Sequence, residues 1–316
     1  MKKTGKIIKF ICGAGNEDFE EIEKLSYVFS SAGSNMIDVS ADSNAVNAAK
    51  SGINKAGMTN KTSVCVSIGL KDDIHLSKAK IDGLKCNKCK ICINSCPRNA
   101  VFEKENKIII DETKCIGCSN CIKACKYSAI TSVSTAKMPE EMLSPLLTQK
   151  FDCVEFHCTS DNEALILSSW QKIKSMYKGQ LSICMNRAKL GDNKIINLLK
   201  EMTKNIDNII IQADGNPMSG GKNDYKSNLQ TVAFAQLIKN SNINAVILLS
   251  GGTNAKTAEF AKLCDVDIDG VSLGSYARKL VKKYTECTDF WENKTIMENA
   301  VNTAKSLIDE LLLSLN

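Results

Sequence analysis

Short apolar runs recur along this chain, and each is followed by a segment whose apolar residues fall at helical spacing. Ile7–Cys12 is the first run. Phe19, Ile22, Leu25, Val28 and Phe29 then share one face of a helix predicted over Glu17–Ser31. Met36–Val39, with Asp38 inside it, and Thr62–Leu70 are the next two strands, separated by a helix over Ala45–Ile53. A helix over Pro139–Lys150 precedes strands at Cys153–His157, Leu181–Met185, Asn208–Ala213, Ala245–Ser250 and Gly270–Leu273. Helices at Asn162–Tyr177, Asn193–Thr203, Leu229–Lys239, Ala255–Leu263 and Ser275–Lys283 follow them in turn, and the amphipathic Met297–Leu315 closes the chain. Thr62–Leu70 is almost continuously apolar, as in a parallel strand covered on both faces. Strict β–α alternation implies a parallel sheet. Eight units in about 260 residues fit an α/β fold of the (β/α)8 barrel type, with an open doubly wound sheet as the alternative.

The alternation breaks once, after the third strand. Eight of the fifteen cysteines lie there, spaced Cys86-x2-Cys89-x2-Cys92-x3-Cys96-Pro97 and Cys115-x2-Cys118-x2-Cys121-x3-Cys125. This is the bacterial two-cluster ferredoxin spacing. Three cysteines two residues apart wrap one face of a cuboidal cluster, and the fourth ligand comes from the other motif. The expected sets are Cys86, Cys89, Cys92 and Cys125 for one 4Fe–4S cluster, and Cys115, Cys118, Cys121 and Cys96 for the other. Lys126 stands where the second motif would have proline. Structural zinc favours paired CxxC units without a third cysteine two residues on, and a disulfide framework needs an oxidising compartment. Val101–Ile110 reads as two short strands about a turn between the cluster halves. The expected organisation is residues 1–80 as the first part of the barrel (strands one to three), 81–136 as an inserted ferredoxin-like α+β domain, and 137–316 as the rest of the barrel.

Composition narrows the function. Hydrophobic residues at 43% suffice for a large core, and no apolar run reaches the roughly 18 residues of a membrane span. The basic start, Met1–Lys9, has too short an apolar run for a signal peptide, so a cytoplasmic location is expected, where thiols stay reduced. The formal charge is +6, but two clusters add about −8 from thiolates and about +4 from their cores. The lysines are scattered, without a basic stripe interleaved with aromatics, so a nucleic-acid partner is not expected. A redox partner protein is.

The carboxyl ends of barrel strands carry function. Ser250-Gly251-Gly252-Thr253-Asn254 follows the seventh strand, and Gly274-Ser275 follows the eighth at the start of a helix. Paired glycines admit close approach of backbone amides, a helix N-terminus favours anions, and the last two loops form the usual barrel phosphate site. Gly251, Gly252, Thr253, Asn254, Gly274, Ser275 and Arg278 are therefore candidates for binding FMN or another phosphate-bearing ligand. Cys12, Asp38, Asp42, Glu155, His157, Asn186, Arg187 and Asp214 are further candidates at this face. Cys12 and Cys158 fall at strand ends, where exposure is expected, whereas Cys65, Cys153, Cys184 and Cys264 read as core fillers. His157 reads as a satisfied structural histidine and His75 as solvated surface.

Several strings carry a family resemblance: Lys9–Ala14, Ile37–Asp42, the cysteine cassette, Glu155–His157, Gln212–Gly220, Ser250–Asn254 and Gly274–Arg278. In these the chain resembles the light-dependent-period (LdpA) family of iron–sulfur proteins, known from cyanobacteria with relatives in other bacteria, over nearly its whole length. The resemblance implies a redox-active protein with two clusters, associated in cyanobacteria with sensing redox state for the circadian clock. Two roles follow as expectations: electron transfer or redox sensing beside a ligand site, or an oxidoreductase whose clusters feed a flavin or phospho-ligand.

Overall fold

The structure, a computed structural model, describes residues 5–13, 15–70, 77–135, 137–216 and 223–315. It opens with β1 (Ile7–Gly13), α1 (Phe19–Ser31), β2 (Met36–Ser40), α2 (Ser43–Lys55) and β3 (Ser63–Gly69). The cassette follows with β4 (Ser77–Ile81), α3 (Ile91–Ser95), β5 (Val101–Lys104), β6 (Lys107–Ile110), α4 (Asn120–Ala124) and β7 (Ile130–Ser134). Next come α5 (Pro139–Leu143), β8 (Cys153–His157), α6 (Glu163–Met176), β9 (Gln180–Asn186), α7 (Asp192–Thr203), β10 (Ile210–Asp214) and α8 (Leu229–Asn240). The chain ends with β11 (Val246–Ser250), α9 (Thr257–Leu263), β12 (Gly270–Leu273), α10 (Ser275–Thr285) and α11 (Lys294–Leu315).

Strands β1, β2, β3, β8, β9, β10, β11 and β12 close into a parallel barrel in that order. β3 pairs directly with β8, from Cys65↔Cys153 to Gly69↔His157. The cassette is therefore inserted between neighbouring barrel strands without interrupting their ladder. Alternation along each strand sorts its side chains. Ile8 and Phe10 of β1 face the helices, where Phe10 stacks on Phe29 of α1. Ile7 faces inward and joins Met36, Cys65, Cys153, Ile210 and Leu248 in an apolar floor. The next inward residues up are polar: Lys9, Asp38, Ser67, Glu155 and Gln212, all buried.

The cassette repeats itself at a 29-residue interval, Cys86 to Cys115 and Cys96 to Cys125. β4 pairs antiparallel with β7, and β5 with β6. The inner hairpin matches the sequence reading. The outer pair is absent from the sequence reading: Lys78–Ile81 alternates polar and apolar residues, but Ile130–Ser134 does not.

Four expectations need correction. The helix over Pro139–Lys150 is α-helical only to Leu143, followed by a 3-10 turn at Ser144–Leu146. Pro145 has no amide hydrogen, and its ring would crowd the carbonyl of Glu141. Cys12 and Cys158 are buried, because residues at strand ends still pack beneath the flanking helices. Cys264 is exposed, since it caps the end of α9 beside the exposed Leu263. His75, Ala14 and Pro217–Gly220 lie outside the described residues.

Gly52 lets α1 and α2 touch. A Cβ there would sit 2.2 Å from the Glu23 carbonyl oxygen, a backbone atom that cannot step aside. Gly52→Ala should cost about 2 kcal/mol and lower the apparent melting temperature by several degrees; an unchanged melt would show that the two helices have room to part.

Candidate functional site

The cassette presents its cysteines in two groups. A cavity of about 320 Å³ is lined by Cys86, Cys89, Cys92 and Cys125. A second, of about 400 Å³, is lined by Cys96, Cys115, Cys118 and Cys121. Left-handed residues recur at equivalent places in the two halves, Lys88 with Gly117, Lys90 with Ser119 and Asn99 with Ser128, and turn the loops around the sulfurs. Amides point inward: Ala79 N to Cys115 Sγ at 3.4 Å, Ala100 N to Cys96 Sγ at 3.3 Å and Ala129 N to Cys125 Sγ at 3.4 Å. Lys126 in place of proline leaves the backbone undisturbed, with φ, ψ of −81°, 101° at Cys125 against −85°, 110° at Cys96. The donor sets fit iron–sulfur clusters. Burial, then the neighbouring Cys118, Cys115 and Cys96, push the Cys121 thiol up to about 11, so thiolates in this group would need a cationic core beside them.

Buried charges fix the cassette to the barrel. Arg98, next to Pro97, forms a bidentate pair with Glu21 of α1. Burial pushes the Glu21 carboxyl up, but the Arg98 hydrogen bonds and charge bring it below the ordinary value. Lys78, almost wholly buried, donates to Gly15 O at 2.7 Å and Cys115 O at 2.9 Å. Lys282 of α10 donates to Pro97 O at 3.0 Å.

These ties set the second cysteine group over the carboxyl ends of the barrel strands. An open cavity of about 740 Å³ lies there, and Ile116 lines both this cavity and the one bounded by Cys115 and Cys118. Gly251, Gly252, Thr253, Gly274, Ser275 and Arg278 all line the mouth. Gly251 has φ +68°, and a Cβ on it would lie 2.2 Å from Asp214 Oδ1. Thr253 Oγ1 donates to Ser272 O at 2.6 Å. Arg278 donates to Ile11 O and Cys12 O at 3.0 and 2.7 Å and to Ser275 Oγ at 3.3 Å. Burial and the nearby Arg98 lower its pKa to about 10, despite Glu21. Asn254 turns away and holds the chain ahead of α8, donating to Asp224 O at 2.8 Å and Ser227 Oγ at 2.9 Å.

Asp38, Glu155, His157 and Asp214 also line the mouth. Asn186 donates to Asp214 Oδ2 at 3.4 Å. Asp42 instead caps α2, accepting from Asn44 N at 2.8 Å and Ala45 N at 3.1 Å, and Arg187 pairs with Asp192 near the surface.

The sequence reading missed the residue beneath them. Lys9 Nζ lies 2.7 Å from Asp38 Oδ2 and 2.6 Å from Glu155 Oε2. Glu155 also accepts from Ser182 Oγ at 2.8 Å and from Gln212, and His157 Nε2 is 3.2 Å from its Oε1. Asp38 Oδ1 accepts from Ser67 Oγ at 2.6 Å. Burial pushes the Glu155 carboxyl up, but Lys9 and His157 outweigh it and hold it at about 2. Burial pushes Asp38 up as well; there Lys9 is opposed by the Glu155 charge, and the net shift stays upward. Burial works against the Lys9 ammonium, yet Asp38 and Glu155 help keep it charged. Its firm partner is Glu155, which collects more donors. The available signal was a lysine at an inward position of the apolar run Ile7-Ile8-Lys9-Phe10-Ile11.

A parallel barrel carrying an eight-cysteine cassette over its mouth is the architecture of an iron–sulfur protein with a redox-related role. The 4Fe-4S dicluster domain matches residues 85–159. The light dependent period A C-terminal domain family matches residues 145–310, and the chain belongs to that family. It is 25% identical to Light dependent period A of Synechococcus elongatus, over 98% of this chain and 92% of that protein. The YdjI aldolase of Escherichia coli K12 shares the fold at a TM-score of 0.50 and 7% identity, covering 98% of this chain and 89% of that one.

Lys9→Met should leave two buried carboxylates without their cation and cost about 3–5 kcal/mol at pH 7. The low folded pKa of Glu155 contributes stability above its ordinary 4.5 and loses it as pH falls toward about 2. The difference in melting temperature from wild type should therefore be full at pH 7 and narrow below about pH 4.5. A gap that widens in acid would contradict the pairing.

Proposed function

We propose that this protein is a cytoplasmic redox-sensing or electron-transfer protein. In this reading it carries two 4Fe–4S clusters, held by Cys86, Cys89, Cys92 and Cys125 and by Cys115, Cys118, Cys121 and Cys96. When bound, the clusters supply one-electron uptake and release. The observation that carries the reading is the shared wall: Ile116 borders both a four-cysteine cavity and the barrel mouth.

The mouth takes a small phosphate-bearing ligand, FMN or another. Gly251 and Gly252 open the backbone to a phosphate, Gly274 and Ser275 offer the N-terminus of α10, and Arg278 supplies the cation. Thr253 holds the loop after β11 against β12, and Asn254 holds it against the segment before α8. Below the phosphate end, the Lys9–Glu155–His157 network forms a polar floor to the mouth cavity, one level above the apolar floor of the barrel. That floor supports a second reading, an oxidoreductase, because His157 and Glu155 face the cavity and are hydrogen-bonded to each other. A redox partner protein completes either reading, and neither uses a nucleic acid.

Anaerobically purified and reconstituted protein should hold about eight irons per chain and show a broad shoulder near about 400 nm, as expected of such clusters; an iron content near four would remove one of the two clusters from the account. Cys118→Ala should retain about half the iron, with the remaining cluster still bleached by reductant. FMN binding, followed by equilibrium dialysis, should weaken about tenfold in Arg278→Gln, the loss of one charge-assisted hydrogen bond. Equal affinity in the two proteins would take the phosphate away from Arg278. Flavin released from the native protein by acid would favour the oxidoreductase.

A further inference from the structure

The eight cassette cysteines differ in exposure. Cys92, Cys115 and Cys121 are buried, Cys86, Cys96, Cys118 and Cys125 are half-buried, and Cys89 is exposed. The group containing Cys118 lies beside the barrel. The group containing Cys89 opens outward, and Lys90, Ile91 and Tyr127 stand on the wall of its cavity. The surface around it is unusual in two respects. Leu84, two residues before Cys86, is 100% exposed, Tyr127 50% and Ile91 40%. Ile91 and Tyr127 line the same cavity, and Leu84 is two residues from Cys86, which lines it too; large exposed apolar side chains so placed mark a contact face. The charges around them have one dominant sign. Residues 82–91 and 123–128 contain Lys85, Lys88, Lys90, Lys123 and Lys126 against a single acid, Asp82. Lys85 is 3.6 Å from Asp82, and Lys90 is 2.6 Å from Glu103. Lys88, Lys123 and Lys126 make no ion pair among the described residues. Among the described residues, no carboxylate lines the cavity itself. The lysines exceed the charge of about −2 that an oxidised cluster with four thiolates brings, so the face stays positive when the cluster is bound.

We infer that this face is the docking site for an acidic one-electron carrier protein. Resting on the two-cluster reading above, the site works as an electrical port: the apolar side chains Leu84, Ile91 and Tyr127 make the dry contact, and the lysine rim steers and orients the carrier. One electron passes from the reduced carrier to the oxidised cluster of Cys86, Cys89, Cys92 and Cys125. The carrier is oxidised by one electron, the cluster is reduced by one, and no bond or proton moves. The other cysteine group, on the barrel side, is left to serve the mouth.

The test is anaerobic stopped-flow reduction of the reconstituted holoprotein by a reduced acidic flavodoxin, read as bleaching of the cluster absorbance. The second-order rate constant should fall with ionic strength, and Lys88→Glu/Lys126→Glu should lower it about tenfold at low salt. Bleaching by dithionite, a small reductant, should be unchanged in that variant, which shows its clusters intact. Lys200→Glu/Lys204→Glu, an equal charge change on α7 and its C-cap, should leave the flavodoxin rate near wild type. An undiminished rate in Lys88→Glu/Lys126→Glu, or an equal loss in the α7 variant, would overturn the docking site while leaving the clusters in place. Wild-type protein that reconstitutes with only about four irons per chain would instead overturn the two-cluster reading and the port with it.

Discussion

The bidentate pair between Arg98 and Glu21 is the constraint on which the arrangement of this molecule depends. Arg98 immediately follows the Cys96-Pro97 corner of the cassette, and Glu21 lies in the first turn of α1. Both side chains are largely withdrawn from water, so each charge is costly without the other. A fork-to-fork guanidinium–carboxylate contact tolerates little rotation. It therefore fixes the angle of the cassette against the barrel more tightly than apolar packing alone. Lys78 and Lys282 add hydrogen bonds to backbone carbonyls on either side of the junction. One cysteine group is thereby held over the barrel mouth and the other is turned outward.

The same economy of charge runs through the barrel. Its floor is apolar, its middle level is a connected set of buried polar groups around Lys9 and Glu155, and its mouth is rimmed by glycines and Arg278. Arg278 is bonded to the end of β1 and close enough to Cys118 to feel its charge. An anion at the proposed phosphate site and an electron on the proposed neighbouring cluster would both act on this one guanidinium. That is a direct electrostatic route by which ligand and redox state would influence each other, and by linkage the influence would be mutual.

Much of this was legible in the residues, for identifiable reasons. Parallel strands covered on both faces are near-continuous apolar runs, so β1, β2, β3 and β8 to β12 stood out. Cluster motifs fix cysteine spacing, so the cassette stood out as well. Local pattern does not state what a side chain meets across the barrel. Lys9 read as part of a basic start because its partners lie 29 and 146 residues away. Asp42 looked like a site residue and proved to be a helix cap, and Asn254 looked like a ligand contact and holds a loop. Cys264 sat among apolar neighbours in the sequence, but the end of a short helix turned it to solvent. The outer strands β4 and β7 were missed because they pair across the whole cassette rather than across a turn.

The central claim is spatial: two clusters, one of them at the barrel mouth. Diffraction from crystals of the reconstituted protein at the iron absorption edge tests it most directly. The account predicts two cluster-sized anomalous peaks, one bounded by Cys96, Cys115, Cys118 and Cys121 behind Ile116, and one by Cys86, Cys89, Cys92 and Cys125 at the outer surface. A single peak, or two peaks each held by the four cysteines of one motif without exchange of Cys96 and Cys125, would contradict it.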